Sequence, residues 1–144
     1  MPMPRPEGDT IDRNELPSII ATLFSYESWF GPYHPQTLRL MTEIGVACCK
    51  HGEIGPGRGL LERTIRDVGK YLGFDHELRF RALTALRDLF LRQGEAENAS
   101  AIQKEILQCQ IQRLGATHPC ALEAKAELAA MLLKTIDNVS TREI

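Results

Sequence analysis

Three of the four histidines in this chain have a type and spacing that could do chemistry. His34, His76 and His118 follow one another at intervals of 42 residues, and imidazole nitrogens bind metals and transfer protons near neutral pH. If 42-residue helical units stack with neighbouring axes about 8–10 Å apart, equivalent histidines lie at least about 10 Å apart. One zinc ion holds its ligands at about 2.0–2.3 Å. We therefore expect no shared metal site, and we expect these histidines to bond backbone groups in turns.

A glycine-rich segment, residues 52–59, superficially resembles a phosphate-binding loop. It lacks the Gly-Lys-Ser/Thr ending and follows a predicted helix rather than a strand. Its position matches residues 94–101 one period later, so the glycines are expected to replace small residues at a crowded turn. They should also loosen the next helix, because each costs about 1 kcal/mol relative to alanine. No catalytic triad order or His-Glu-x-x-His motif is visible, so we predict no catalytic residue, metal or cofactor.

The cysteines and the overall charge exclude several other classes of function. Cys48, Cys49, Cys109 and Cys120 form no Cys-x-x-Cys motif, and adjacent cysteines diverge by about 100° on a helix, so four reduced, mostly packed thiols are predicted. A net charge of -2 gives no basic footprint for nucleic acid. No apolar run approaches the roughly 20 residues that cross a bilayer, and the first residues lack a signal-peptide core. We expect a cytosolic protein that binds neither nucleic acid nor membrane.

The histidines lie in recurring phrases that predict where helices begin and end. The phrases are Gly31-Pro-Tyr-His34-Pro35, Gly73-Phe-Asp-His76 and Gly115-Ala-Thr-His118-Pro119, and Gly52-Glu53 recurs as Gly94-Glu95. Left-handed glycines follow helix ends, and prolines are tolerated in a first turn. The predicted helices are 12–30, 34–50, 54–72, 76–92, 96–114 and 118–136. The flanks 1–11 and 137–144 are predicted to be disordered.

The apolar pattern independently predicts an all-α repeat fold. One helix face carries Ile19, Leu23, Tyr26 and Phe30, and it recurs as Leu61, Ile65, Val68 and Leu72. The third copy is Gln103, Leu107, Gln110 and Leu114, unless burial shifts to Ile102, Ile106 and Cys109. Strand signals are absent. We predict about six antiparallel helices, in two full repeats flanked by two half repeats. The last helix is apolar around much of its surface and is expected to meet another subunit, a partner or a missing neighbour.

The 42-residue unit, with its Gly-x-x-His-Pro and Gly-Glu turns, resembles the tetratricopeptide repeats of kinesin light chains over about residues 12–136. The resemblance implies an αα-superhelix whose first helices line a concave groove. Gly57 and Ala99 match the small residue that the family's repeat has in its second helix. The family's repeat has a small residue in its first helix at the position that Arg87 occupies. Either the arginine stem therefore reaches outward along the surface, or the helix pair is spread. The paired asparagines that grip a peptide backbone are replaced by Thr42-Glu43, Thr84-Ala85 and Ala126-Glu127, so that clamp is absent.

The resemblance implies a non-catalytic scaffold that binds a protein or peptide in this groove. The predicted groove residues are Arg39, Thr42, Glu43, Val46, Arg81, Thr84, Asp88, Glu123 and Glu127. A groove graded from basic to acidic would orient an extended peptide, but the same residues also fit a solvated face with ordinary salt pairs. One alternative is a structural module that forms a homodimer through its C-terminal helix. Another is a sensor domain for a peptide or small molecule.

Overall fold

The computed structural model describes residues 13–142, with side chains described for residues 14–136, and this part of the chain is all-α. A 3-10 turn, Arg13–Glu15, leads into the first helix. Six α-helices follow: α1 Leu16–Phe30, α2 Pro35–Lys50, α3 Ile54–Tyr71, α4 Glu77–Arg92, α5 Ala96–Leu114 and α6 Pro119–Arg142. No strand occurs among the described residues, which confirms the predicted class.

The helix ends match the predicted positions closely, with two corrections. α1 begins at Leu16 rather than at residue 12, with Pro17 in its first turn. α6 continues to Arg142, so the predicted disorder from residue 137 is wrong as far as this arginine. Residues 137–142 contain neither glycine nor proline, and nothing local therefore ends the helix. The predicted tail 1–11 and residues 143–144 lie outside the described residues.

The turns show that the 42-residue period is present in the backbone. The Glu53 amide donates to the Cys48 carbonyl at 2.8 Å, and the equivalent Glu95 amide donates to Phe90 at 2.9 Å. Such bonds back across five residues satisfy carbonyls at a helix end. Every glycine that follows one of the first five helices has a positive φ, between 75° and 115°: Gly31, Gly52, Gly73, Gly94 and Gly115. The positive φ predicted for the last four of these is confirmed, and ψ of 156° places Gly115 outside the left-handed helical region.

The chain divides into two compact units, Met1–Ala85 and Leu86–Ile144. In the first unit, α2 packs against both α1 and α3. Its fully buried large apolar side chains include Leu38, Met41, Ile44, Leu61, Leu83 and Val68. These include two positions of the predicted periodic face, so the 3.6-residue periodicity identified the core here.

In the second unit, α5 packs against α6. Gln103 and Gln110 are buried at the positions that the period assigns to the core. Ile106 and Cys109 are buried as well, so the third repeat buries residues of both predicted sets. Within the described residues, no helix is long and apolar enough to span a membrane.

Candidate partner-binding face

The three periodic histidines each cap the helix that follows them. Nδ1 of His34 accepts a hydrogen bond from the Gln36 amide at 3.1 Å. Nδ1 of His118 accepts one from the Cys120 amide, also at 3.1 Å. His76 does the same for the amide two residues further on. Each bond satisfies one of the amides that a helix N-terminus leaves without an intrahelical acceptor. The prediction that these histidines bond neighbouring backbone is confirmed.

The other sequence candidates for chemistry have packing explanations. Among the described residues, no group of three or more His, Cys, Asp or Glu side chains could hold a metal ion. In the glycine-rich segment, a Cβ on Gly57 would lie 2.7 Å from Sγ of Cys49 and 2.9 Å from its amide nitrogen. The crowding predicted there is confirmed for this glycine. A Cβ on Gly55 or Gly59 would meet nothing within 4 Å, so steric crowding does not explain why these two positions are glycine.

The cysteines are free thiols, as predicted, and Cys48, Cys49 and Cys109 are buried. Burial raises the pKa of the Cys48 thiol, and the Glu53 carboxylate raises it further. A raised pKa keeps this thiol protonated and therefore poorly nucleophilic. Cys48 behaves as a small apolar side chain in the core of the first unit.

In the first unit, an ion pair joins α2 to α4. Nε of Arg81 lies 2.8 Å from Oε1 of Glu43, and a second guanidinium nitrogen donates to Oε2 at 2.9 Å. This two-point contact is the geometry in which arginine binds a carboxylate best. Two predicted face residues are therefore brought together, and they neutralise one another.

The other predicted residues of this unit differ in exposure. Arg39, Val46 and Thr84 are half-buried, and the Thr84 hydroxyl donates to the Phe80 carbonyl at 2.9 Å. Thr42 needs correction, because it has no exposed surface and its hydroxyl donates to the Leu38 carbonyl at 2.7 Å. It belongs to the packed side of α2 and offers nothing to a partner.

In the second unit, two of the three acidic predicted residues, Asp88 and Glu127, contact Arg87. Nη1 of Arg87 lies 3.1 Å from Glu127, and Nη2 lies 3.0 Å from Asp88. Both carboxylate side chains are more than half exposed, and Glu123 is exposed as well. This face carries three carboxylates and one guanidinium, so its formal charge is 1 − 3 = −2.

The side chain of Arg87 does not extend outward along the surface, which was the first of the two alternatives that the sequence left open. Its side chain is only 17% exposed, and Nη1 donates to Oε1 of the fully buried Gln103 at 2.9 Å. Nε2 of Gln103 donates in turn to the Ala124 carbonyl at 2.9 Å. One period earlier, Gly45 and Leu61 occupy the two positions, with a Cβ on Gly45 only 3.0 Å from Leu61. A hydrogen-bonded polar pair therefore replaces a close apolar contact.

Two exposed surfaces rich in apolar residues lie on α6 and α1, and the sequence analysis predicted only the one on α6. The expected surface is on α6, where Leu122, Leu132, Leu133 and Ile136 are exposed. The missed surface is on α1, whose exposed residues carry no charge: Pro17, Ser18, Ile20, Ala21, Phe24, Ser25, Ser28 and Trp29. Comparing repeats would have revealed it, because Ile20 and Phe24 stand where α3 has Glu62 and Arg66.

Comparison with known proteins adds no identity to this geometry. No protein-family model matches the chain, and no curated protein matches its sequence. The described residues form two groups of ion pairs, around Arg81 and around Arg87, and two exposed apolar surfaces, on α1 and on α6.

Proposed function

We propose that this protein is a short tetratricopeptide-type αα-superhelix that binds a protein or peptide segment on the face lined by the first helices of its repeats. The observation that carries the proposal is the Glu43–Arg81 pair, at 2.8 Å, which links α2 to α4. These are the first helices of consecutive 42-residue units. Such an arrangement is the one expected if first helices line a common binding face. The proposal includes no catalytic role.

The charges on the two faces suggest what the partner carries. On the first unit, Arg39 and Arg81 outnumber Glu43, so the formal charge of this group is 2 − 1 = +1. On the second unit, the group around Arg87 has a formal charge of 1 − 3 = −2. A partner with acidic residues for the first face and basic residues for the second matches both. Val46 and Thr84, both half-buried, add apolar and hydroxyl contact.

A charge-reversal experiment tests this role. The immobilised chain captures partners, and a recovered partner is titrated against Arg39→Glu with Arg81→Glu. We expect at least a tenfold loss of affinity, because the face of the first unit becomes acidic. The matched control is Lys104→Glu with Arg113→Glu, two exposed changes on α5 with the same net charge effect. Circular dichroism verifies that both variants are helical. Equal affinity in the reversed and native chains contradicts the proposal.

A second candidate function is self-association, and the exposed α6 surface favours it. Leu122, Leu133 and Ile136 are each more than half exposed on one helix. Burying three such side chains stabilises an association by several kcal/mol before the cost of ordering. Light scattering across a concentration series is expected to show a rising mean mass. A monomer at every concentration would contradict this candidate.

Four free thiols suit a reducing compartment, and we place both candidate functions in the cytosol.

A further inference from the structure

The first turns of α3, residues 54–59, lie directly on the end of α2. A Cβ on Gly57 would lie 2.7 Å from Sγ of Cys49, 2.9 Å from its amide nitrogen and 3.0 Å from Cβ of Cys48. Distances this short leave no room for another atom between the two helices at this point. Cys49 is only 3% exposed, and the backbone of α3 at Gly57 covers its sulfur.

Little buried surface holds this segment in place. Gly57 is the one buried residue among these six described residues, and it has no side chain. Ile54 is 37% exposed, and Gly55 and Gly59 are exposed as well. Segments with few buried apolar contacts open locally at the lowest cost in free energy.

The sequence of the segment weakens its helix further. Gly55 and Gly59 have no steric reason to be glycine, because a Cβ on either would meet nothing within 4 Å. One period later, α5 has Glu97 and Ala101 at these positions, and both residue types favour a helix more than glycine does. Neither α3 nor α5 begins with a side-chain cap, so the residues of the first turns decide how firmly each helix start is held.

We propose that residues 54–59 form a lid that opens locally over Cys49, and that a group attached to this thiol holds the lid open. Because Cys49 has almost no exposed surface, a substituent on Sγ has no outlet while Gly57 lies on it. Modification and closure therefore exclude one another, and the start of α3 is a thiol-controlled switch in the first unit. This inference goes beyond both candidate functions and depends on neither.

The compound that operates the switch is a low-molecular-weight disulfide. The Cys49 thiol gives its proton to solvent, and the thiolate attacks one sulfur of the compound. A new S–S bond joins Cys49 to that half, the original S–S bond breaks, and the other half leaves as a thiolate. Cys49 is thereby oxidised and the released half is reduced. Cys48 is less suited to this reaction, because burial and the Glu53 carboxylate raise the pKa of its thiol.

Labelling with dithiobis(nitrobenzoate), an aromatic disulfide, tests the lid, and tandem mass spectrometry measures the label on each cysteine. When the lid closes faster than the reagent reacts, the labelling rate of Cys49 is proportional to the open fraction. We expect Gly55→Ala and Gly59→Ala each to lower that rate about fivefold, because alanine stabilises the helical, closed form. Cys109, which is 1% exposed in α5, is the internal control and should keep its rate.

Alanine at Gly57 should act in the opposite direction, although the chemical change is the same. Its Cβ would lie 2.9 Å from the amide nitrogen of Cys49, so the closed lid becomes strained. We expect labelling of Cys49 to become about fivefold faster, or more, while Cys109 is unaffected.

Hydrogen exchange tests whether the label holds the lid open. We expect the amides of residues 57–59 to exchange about tenfold faster, or more, in the labelled chain. Dithiothreitol removes the label by the reverse exchange and should restore the slow rate. The control is Cys49→Ala, whose exchange should not respond to the reagent, because labels on the other cysteines do not act on the lid.

Two results would overturn the proposal. A labelling rate of Cys49 that none of the three glycine variants changes shows that the thiol is not reached through the lid. Unchanged exchange of residues 57–59 in a chain labelled at Cys49 shows that the closed segment accommodates the adduct.

Discussion

Replacing Arg87 with alanine is expected to lower the free energy of unfolding by about 2–3 kcal/mol. The change removes the donor to Oε1 of Gln103, a side chain with no exposed surface, at a contact of 2.9 Å. A buried acceptor that loses its donor costs its full desolvation, and this accounts for the size of the effect. Urea denaturation followed by circular dichroism measures the loss. Arg113→Ala, an exposed change on α5, should stay within about 0.5 kcal/mol of the native chain.

A second change should repair much of this damage. Gln103→Leu in the Arg87→Ala background restores the small-and-leucine combination that Gly45 and Leu61 form one period earlier. We expect the double variant to be more stable than Arg87→Ala, with a coupling energy of about 1–2 kcal/mol between the two positions. Strictly additive effects of the two substitutions would show that they do not compensate one another.

Alanine at Gly57 and alanine at Gly59 should change stability in opposite directions. A Cβ on Gly57 would lie 2.9 Å from the backbone nitrogen of Cys49, and backbone moves less readily than a side-chain tip. We expect Gly57→Ala to destabilise the chain by about 1–3 kcal/mol, despite its better helix propensity. A Cβ on Gly59 would meet nothing within 4 Å, so Gly59→Ala should stabilise α3 by about 1 kcal/mol.

The two glycine variants control for each other, because both make the same chemical change within one helix. Thermal and urea denaturation of both chains measure the difference. If both substitutions stabilise the protein, then α3 does not approach α2 as closely as the structure places it. If both destabilise it, the glycines of this segment are needed for a reason other than space.

Sequence reasoning succeeded where the determining interactions are local. Each histidine cap joins residues two apart, and each glycine with a positive φ lies within two residues of the helix end that it follows. Pro35 and Pro119 are the first residues of their helices because proline lacks an amide hydrogen and the first turn of a helix does not need one. The 3.6-residue periodicity of apolar residues then identified part of the core, including Ile19, Leu23, Tyr26, Leu61 and Val68.

The face residues were predicted less well, because exposure depends on neighbouring helices. Thr42 occupies a position that the repeat pattern leaves on the surface, yet packing buries it completely. Glu43 and Arg81 were both expected to face a partner, but they bond one another across 38 residues of sequence. The sequence position of a side chain does not show which residue of another helix will contact it.

The sequence by itself determined the class of the fold, the period of its repeat and the ends of nearly all its helices, since these depend on backbone preferences and on contacts within a few residues. Only the tertiary structure decided that Arg87 and Gln103 form one pair, separated by 16 residues. It also decided that the leucines of α6 lie open while their counterparts on α2 are covered. Both depend on which helices lie side by side, a relation that packing between distant segments creates.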